Sequence, residues 1–116
     1  MPETAVPARY LTLEINRTGD QAIVHCHGYL VSGLSDILAS NVRPLIPDTK
    51  RIILDLSDLK HMDSMGLGTL VWLYTTARTA GCELILLNIG KRIRELLGLT
   101  NLLSVFSIIG EHGVRL

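Results

Sequence analysis

From Arg51 onward, short apolar runs alternate with longer stretches of helical periodicity, and this rhythm constrains the fold more than any single motif. "RIILDLS" (51–57) and "CELILLN" (82–88) have the length and β-rich centres of strands covered on both faces. Between them, after the polar connector "DLKHMD", residues 64 to 80 carry a helical pattern that stops at Gly81, a natural left-handed C-terminal cap. "GKRIRELLGLT" predicts another helix and "LLSVFSII" a last strand, or a turn plus strand. Parallel strands need a crossover helix to return the chain, so this order predicts a largely parallel sheet packed against helices. Upstream, "YLTLEI" alternates, "NRTGD" supplies turn residues and "QAIVHCHGYL" resumes an extended pattern, a hairpin that makes the sheet mixed. "SDILASNVRPLI" predicts a helix capped by Ser35, with Pro44 and Pro47 near its end. The expectation is a single α/β domain, ordered β-β-α-β-α-β-α-β over residues 10–110, with an N-terminal extension (1–9) and a C-terminal tail (111–116).

A chain of 116 residues can bury a core without a metal or disulfides. An apolar fraction of 47% argues against a disordered tail, and 11 basic against 11 acidic residues argue against direct nucleic-acid binding through net charge. The longest apolar stretches fall far short of the roughly 20 residues that span a bilayer, so no membrane insertion is expected. "MPETAVPARY" lacks the basic start and apolar centre of a secretory signal, which points to a cytoplasmic domain. Cys26 and Cys82 fall in strand-like runs and read as small buried apolar residues.

Several chemistries fail on spacing. "GLGTL" lacks the lysine of a phosphate-binding loop, the third glycine of a dinucleotide fingerprint is missing, and Ser64 lacks the flanking glycines of a nucleophile elbow. In "HCH" (25–27) the two histidines face one way and Cys26 the other, so two half-exposed histidines around a buried cysteine fit better than a metal site. Asp55, Asp58 and Asp63 leave open an acidic pocket for a hard cation, beside the turn and capping roles such residues usually fill. The domain itself is expected to need no cofactor.

The strand "ILDLS", the loop "MDSMGLG", "AGCELILLN" after the helix, and "IRELLGLTNL" together resemble the STAS domain, in particular the bacterial anti-sigma factor antagonists. The resemblance implies a non-enzymatic switch. Its serine after the aspartate, here Ser64, would be phosphorylated by an anti-sigma factor of the histidine-kinase-like ATPase family, with Asp63 the adjacent carboxylate. It further implies that the unphosphorylated form binds the anti-sigma factor and frees the sigma factor, that phosphorylation ends binding, and that a phosphatase restores it. ATP and magnesium would belong to the partner. Read from the residues alone, Ser64 is also an ordinary helix N-cap.

At about 100° per residue, Leu67, Leu70, Val71, Tyr74 and Ala77 form the expected core face of the helix. Met65, Thr69, Trp72 and Thr76 form the opposite stripe, with Leu73 near its edge, and Arg78 is the only charge between Ser64 and Ala80. The expected partner surface is therefore Asp63, Ser64, Met65, Gly66, Thr69, Trp72 and Leu73; a homodimer is an alternative cover. Gly66 and Gly68 are expected to allow close packing of helix on sheet. One stretch departs from the antagonist pattern: "GYLV" (28–31) stands where the family carries Gly-Glu-Leu-Asp or Gly-Glu-Ile-Asp, so both acids are missing. That departure motivates a rival reading as a STAS scaffold or transport-accessory module without phosphorylation. A metal-dependent phosphotransfer enzyme using Asp55, Asp58 and Asp63 is the rival from another class.

Overall fold

The computed structural model describes residues 9–99 and 107–109. The strands are β1 (Leu11–Thr18), β2 (Gln21–Leu30), β3 (Arg51–Met62), β4 (Glu83–Leu87) and β5 (Ser107–Ile109). The helices are α1 (Ser35–Val42), α2 (Ser64–Thr79) and α3 (Lys91–Leu99), with a 3-10 helix, Arg43–Asp48, following α1. The strands lie in sequence order in one sheet; β1 and β2 are antiparallel and the remaining pairs parallel. This is the mixed, mostly parallel α/β sheet expected from the alternation. Of the expected extension only Arg9 is described, and the tail 111–116 lies outside the described residues.

Burial alternates strictly along β2 and along the first half of β3, because the described helices all pack on one face. Ala22, Val24, Cys26, Ile52, Leu54 and Leu56 point into that helical layer and are essentially inaccessible. The expectation that "RIILDLS" is covered on both faces is thus corrected: Ile53 and Asp55 are only half-buried on the other face. "DLKHM" is likewise not a connector but the continuation of β3. Two register shifts against β2, one between His25 and His27 and one between Gly28 and Tyr29, accommodate the added length.

The shifts let Asp55 and Asp58, three residues apart, both face β2 histidines. His25 Nδ1 lies 3.0 Å from Asp55 Oδ2, and His27 Nδ1 lies 3.0 Å from Asp58 Oδ2. Burial alone would push the Asp55 carboxyl up, but the Ser57 amide and hydroxyl, His25 and Asn88 outweigh it and hold it below its ordinary value. On the opposite face, burial, with Asp55 nearby, pushes the Cys26 thiol up to about 12. Cys26 and Cys82 are free, buried thiols, as their apolar contexts suggested. Helix α1 starts without the expected Ser35 cap: Leu34 is the N-cap residue and Ser35 is buried inside the helix. The Val31 carbonyl accepts both the Leu34 and Ser35 amides. Pro44 and Pro47 fall in the 3-10 helix, whose first-turn Pro44 costs no hydrogen bond.

Candidate functional site

The loop from β3 into α2 brings the "MDSMGLG" residues to the end of β2. Asp63 is the N-cap of α2: its extended backbone ends the strand, and its Oδ1 accepts the Gly66 amide at 3.0 Å. The other carboxylate oxygen accepts the Ser32 amide at 3.0 Å, tying the loop after β2 to the helix start. The Ser32 and Gly66 amides, with smaller contributions from the Met65 amide and the nearby His61, hold the Asp63 carboxyl below its ordinary value despite slight desolvation. Asp63 therefore takes the cap that Ser64 was also eligible for. Ser64 becomes the first residue of the helix, exposed, with its hydroxyl not committed to a capping bond.

Gly66 explains how the helix comes so close. A Cβ there would run into the Leu30 carbonyl and come within 2.9 Å of Met62 Cγ, so only glycine lets α2 rest on the ends of β2 and β3. Gly66 is buried and packs, as expected, and it offers no surface to a partner. Gly68 corrects the same expectation: a Cβ there meets nothing within 4 Å. Leu73 corrects another, being 0% exposed in the core with Leu70 and Ala77 rather than at the edge of a docking stripe. Val71 and Tyr74, expected on the core face, only border it.

Met65 (56% exposed) and Trp72 (45%) stand out as large apolar side chains on the outer face of α2. Together with Ser64, Thr69 and the open flank at Gly68 they form one wall of a concavity of about 400 Å³. Asp36 and Ala39 of α1 form the other wall. These two α1 residues were not among the sequence candidates; nothing in a linear pattern tells which helix will lie beside α2. Asp55 and Asp58 stay with their histidines while Asp63 caps α2, so the three aspartates do not converge. Among the described residues no three His, Cys, Asp or Glu side chains are grouped to hold a metal.

Residues 12–113 match the STAS domain family. The chain belongs to the STAS domain family. An anti-sigma factor antagonist from Mycobacterium paratuberculosis has a similar fold, with a TM-score of 0.78 at 18% identity over 90% of this chain and 89% of that one. The Bacillus anti-sigma factor antagonist SpoIIAA in its unphosphorylated form superposes with a TM-score of 0.73 at 18% identity, over 87% and 90% of the two chains. The murine anion transporter Slc26a9 is similar over 72% of this chain but only 14% of its own, with a TM-score of 0.64 at 23% identity. At these identities the likenesses establish the fold. Among the described residues of this STAS domain, no helix is long and apolar enough to cross a membrane.

Proposed function

We propose that this STAS domain is an anti-sigma factor antagonist that docks a kinase-type anti-sigma factor through the start and outer face of α2, and that phosphorylation of Ser64 ends the interaction. The observation that carries the reading is the division of labour at the loop: Asp63 performs the capping, which leaves the Ser64 hydroxyl exposed at the mouth of an apolar concavity. A phosphate there sits at the positive end of the α2 dipole, worth about 0.3–1 kcal/mol to the folded domain. At an interface the same group adds about −1.5 to −2 charge, and desolvating it without partners costs several kcal/mol. Since ~1.4 kcal/mol is a tenfold change in affinity, the interface loses more than the helix gains.

At the departed "GYLV" stretch, Val31 is buried and Tyr29 packs edge-on to Tyr10 with the Arg9 guanidinium over its ring. The two positions are structural in this chain, and the acidic groups placed with the serine are Asp63, which caps its helix, and Asp36, which lines the same concavity. The likeness to part of Slc26a9 supports the second reading, a scaffold or transport-accessory module that uses the same surface without modification. Incubation of the intact protein with a kinase-type anti-sigma factor and ATP, followed by mass spectrometry, separates them. Modification confined to Ser64 is expected. No modification, under conditions in which an established antagonist is modified, would leave the scaffold reading in its place.

A further inference from the structure

The concavity beside Ser64 has a neighbour farther along α2. A second one, of about 540 Å³, is lined by Ser40, Arg43, Pro44 and Ile46 on one side and by Thr76 of α2 on the other. Residues 36, 39, 40 and 43 on one wall are spaced i, i+3, i+4, i+7, and 65, 69, 72 and 76 on the other i, i+4, i+7, i+11, each the spacing of a single helical stripe. The two hollows are thus successive parts of one seam between α1 and α2, about 17 Å long over residues 65 to 76. Its lining is apolar or uncharged except at two points, Asp36 in the first turn of α1 and Arg43 at its C-cap. Both are exposed, and neither has an ion-pair partner among the described residues.

The walls are helices, whose backbone groups are already bonded internally, so an added strand would find no backbone to pair with. A helix satisfies its own backbone and can lie in such a seam on side-chain contacts alone. We propose that the seam seats one amphipathic helix of the partner, its apolar stripe against Met65 and Trp72, a basic side chain at Asp36 and an acidic one at Arg43. Asp36 and Arg43 are seven residues apart, roughly 10 Å along a helix, which fixes the spacing of the complementary pair at two turns. An acid near a helix N-terminus and a base near its C-terminus are each favoured by the macrodipole. The partner helix therefore runs with its N-terminal turn at Arg43 and its C-terminal turn beside Asp36, carrying an acid at i, apolar residues at i+3 and i+4, and a base at i+7. The assignment rests on the docking reading above and adds the identity and direction of what docks.

Trp72 is the only tryptophan in the chain, so its fluorescence reports occupancy of the seam directly. The probes are two helix-stabilised peptides, one with the acid at i and the base at i+7 and the other with glutamine at both positions. They are titrated against the intact protein and against the Asp36→Asn/Arg43→Gln double variant, whose cooperative thermal unfolding confirms folding. The first peptide is expected to bind at least tenfold more tightly than the second, with the preference lost in the double variant. Equal binding of the two peptides, a Trp72 signal unmoved by either, or a preference that survives removal of the two charges would overturn the proposal. Ser64 modification by the kinase together with any of those results would remove the helix and leave the switch; charge-ordered binding without modification would do the reverse.

Discussion

Leu73 and Trp72 are neighbours on α2, yet one is sealed in the core and the other is nearly half exposed. Gly66 and Gly68, two residues apart in the same helix, differ as sharply: one touches the Leu30 backbone, the other faces open space. The inner face is held by volume and contact, the outer by neither. A helix built this way can change its outer chemistry, including a phosphate at Ser64, while its seat on the sheet stays fixed. Substitutions should therefore sort by face rather than by residue type.

The sharpest break in this contrast comes from the adjacent pair. Leu73→Ala removes a fully buried side chain and is expected to destabilise the domain by about 2–5 kcal/mol, read from denaturant unfolding. Trp72→Ala is expected to stay within about 0.5 kcal/mol of the parent, although it deletes the larger side chain. Similar losses for the two would mean that α2 is covered on both sides.

Gly66→Ala is the next largest effect. Its Cβ meets backbone rather than a yielding side chain, so α2 must lift from Leu30, at about 1–3 kcal/mol and with weaker amide protection at the helix start. An unaffected Gly66→Ala protein would show that the close approach does not hold the helix.

Asp63→Ala tests the joint between the faces and should cost about 0.5–2 kcal/mol through the lost cap. Because the folded protein lowers the Asp63 carboxyl below its ordinary 3.8, its contribution is full above that pH and is lost as pH falls through the folded value. The stability difference between parent and variant should accordingly be constant near neutrality and shrink below about pH 4. A difference that persists unchanged in acid would assign the stabilisation to something other than the carboxylate.

The smallest effect has the opposite sign. Gly68→Ala adds a methyl into open space in a helix interior and is expected to stabilise by about 0.5–1 kcal/mol, visible as a rise in melting temperature. A loss of stability would show that Gly68 is in contact after all.

These contrasts also show why part of the site was legible in the sequence and part was not. The strand and helix order followed from periodicity, because a period of two and a period near 3.6 leave different marks on the positions of leucine and valine. The roll of α2 did not. The helical wheel centred its core face between Leu67 and Tyr74, whereas the buried set is Gly66, Leu67, Leu70, Leu73 and Ala77. The helix turns toward Leu73 because Gly66 makes the closest approach, and glycine carries no hydrophobic signal for a wheel to weigh.

The serine's exposure was readable as a motif, but the reason it is free of a capping duty was not, since Asp63 and Ser64 are both good caps. In the fold Asp63 takes the Gly66 amide with one oxygen and, with the other, the Ser32 amide brought in from the loop after β2. The same holds for Asp36, Ala39 and Arg43, which become part of the site through the packing of α1 on α2.

The central claim is that Ser64 switches a surface and leaves the fold alone. Its most direct test is a calorimetric titration of a kinase-type anti-sigma factor with the domain before and after stoichiometric phosphorylation of Ser64, with unfolding followed on both forms. At least a tenfold loss of affinity with a melting temperature unchanged or slightly raised is the predicted result. Equal affinity for the two forms, or a loss of binding that tracks unfolding of the phosphorylated domain, would contradict it.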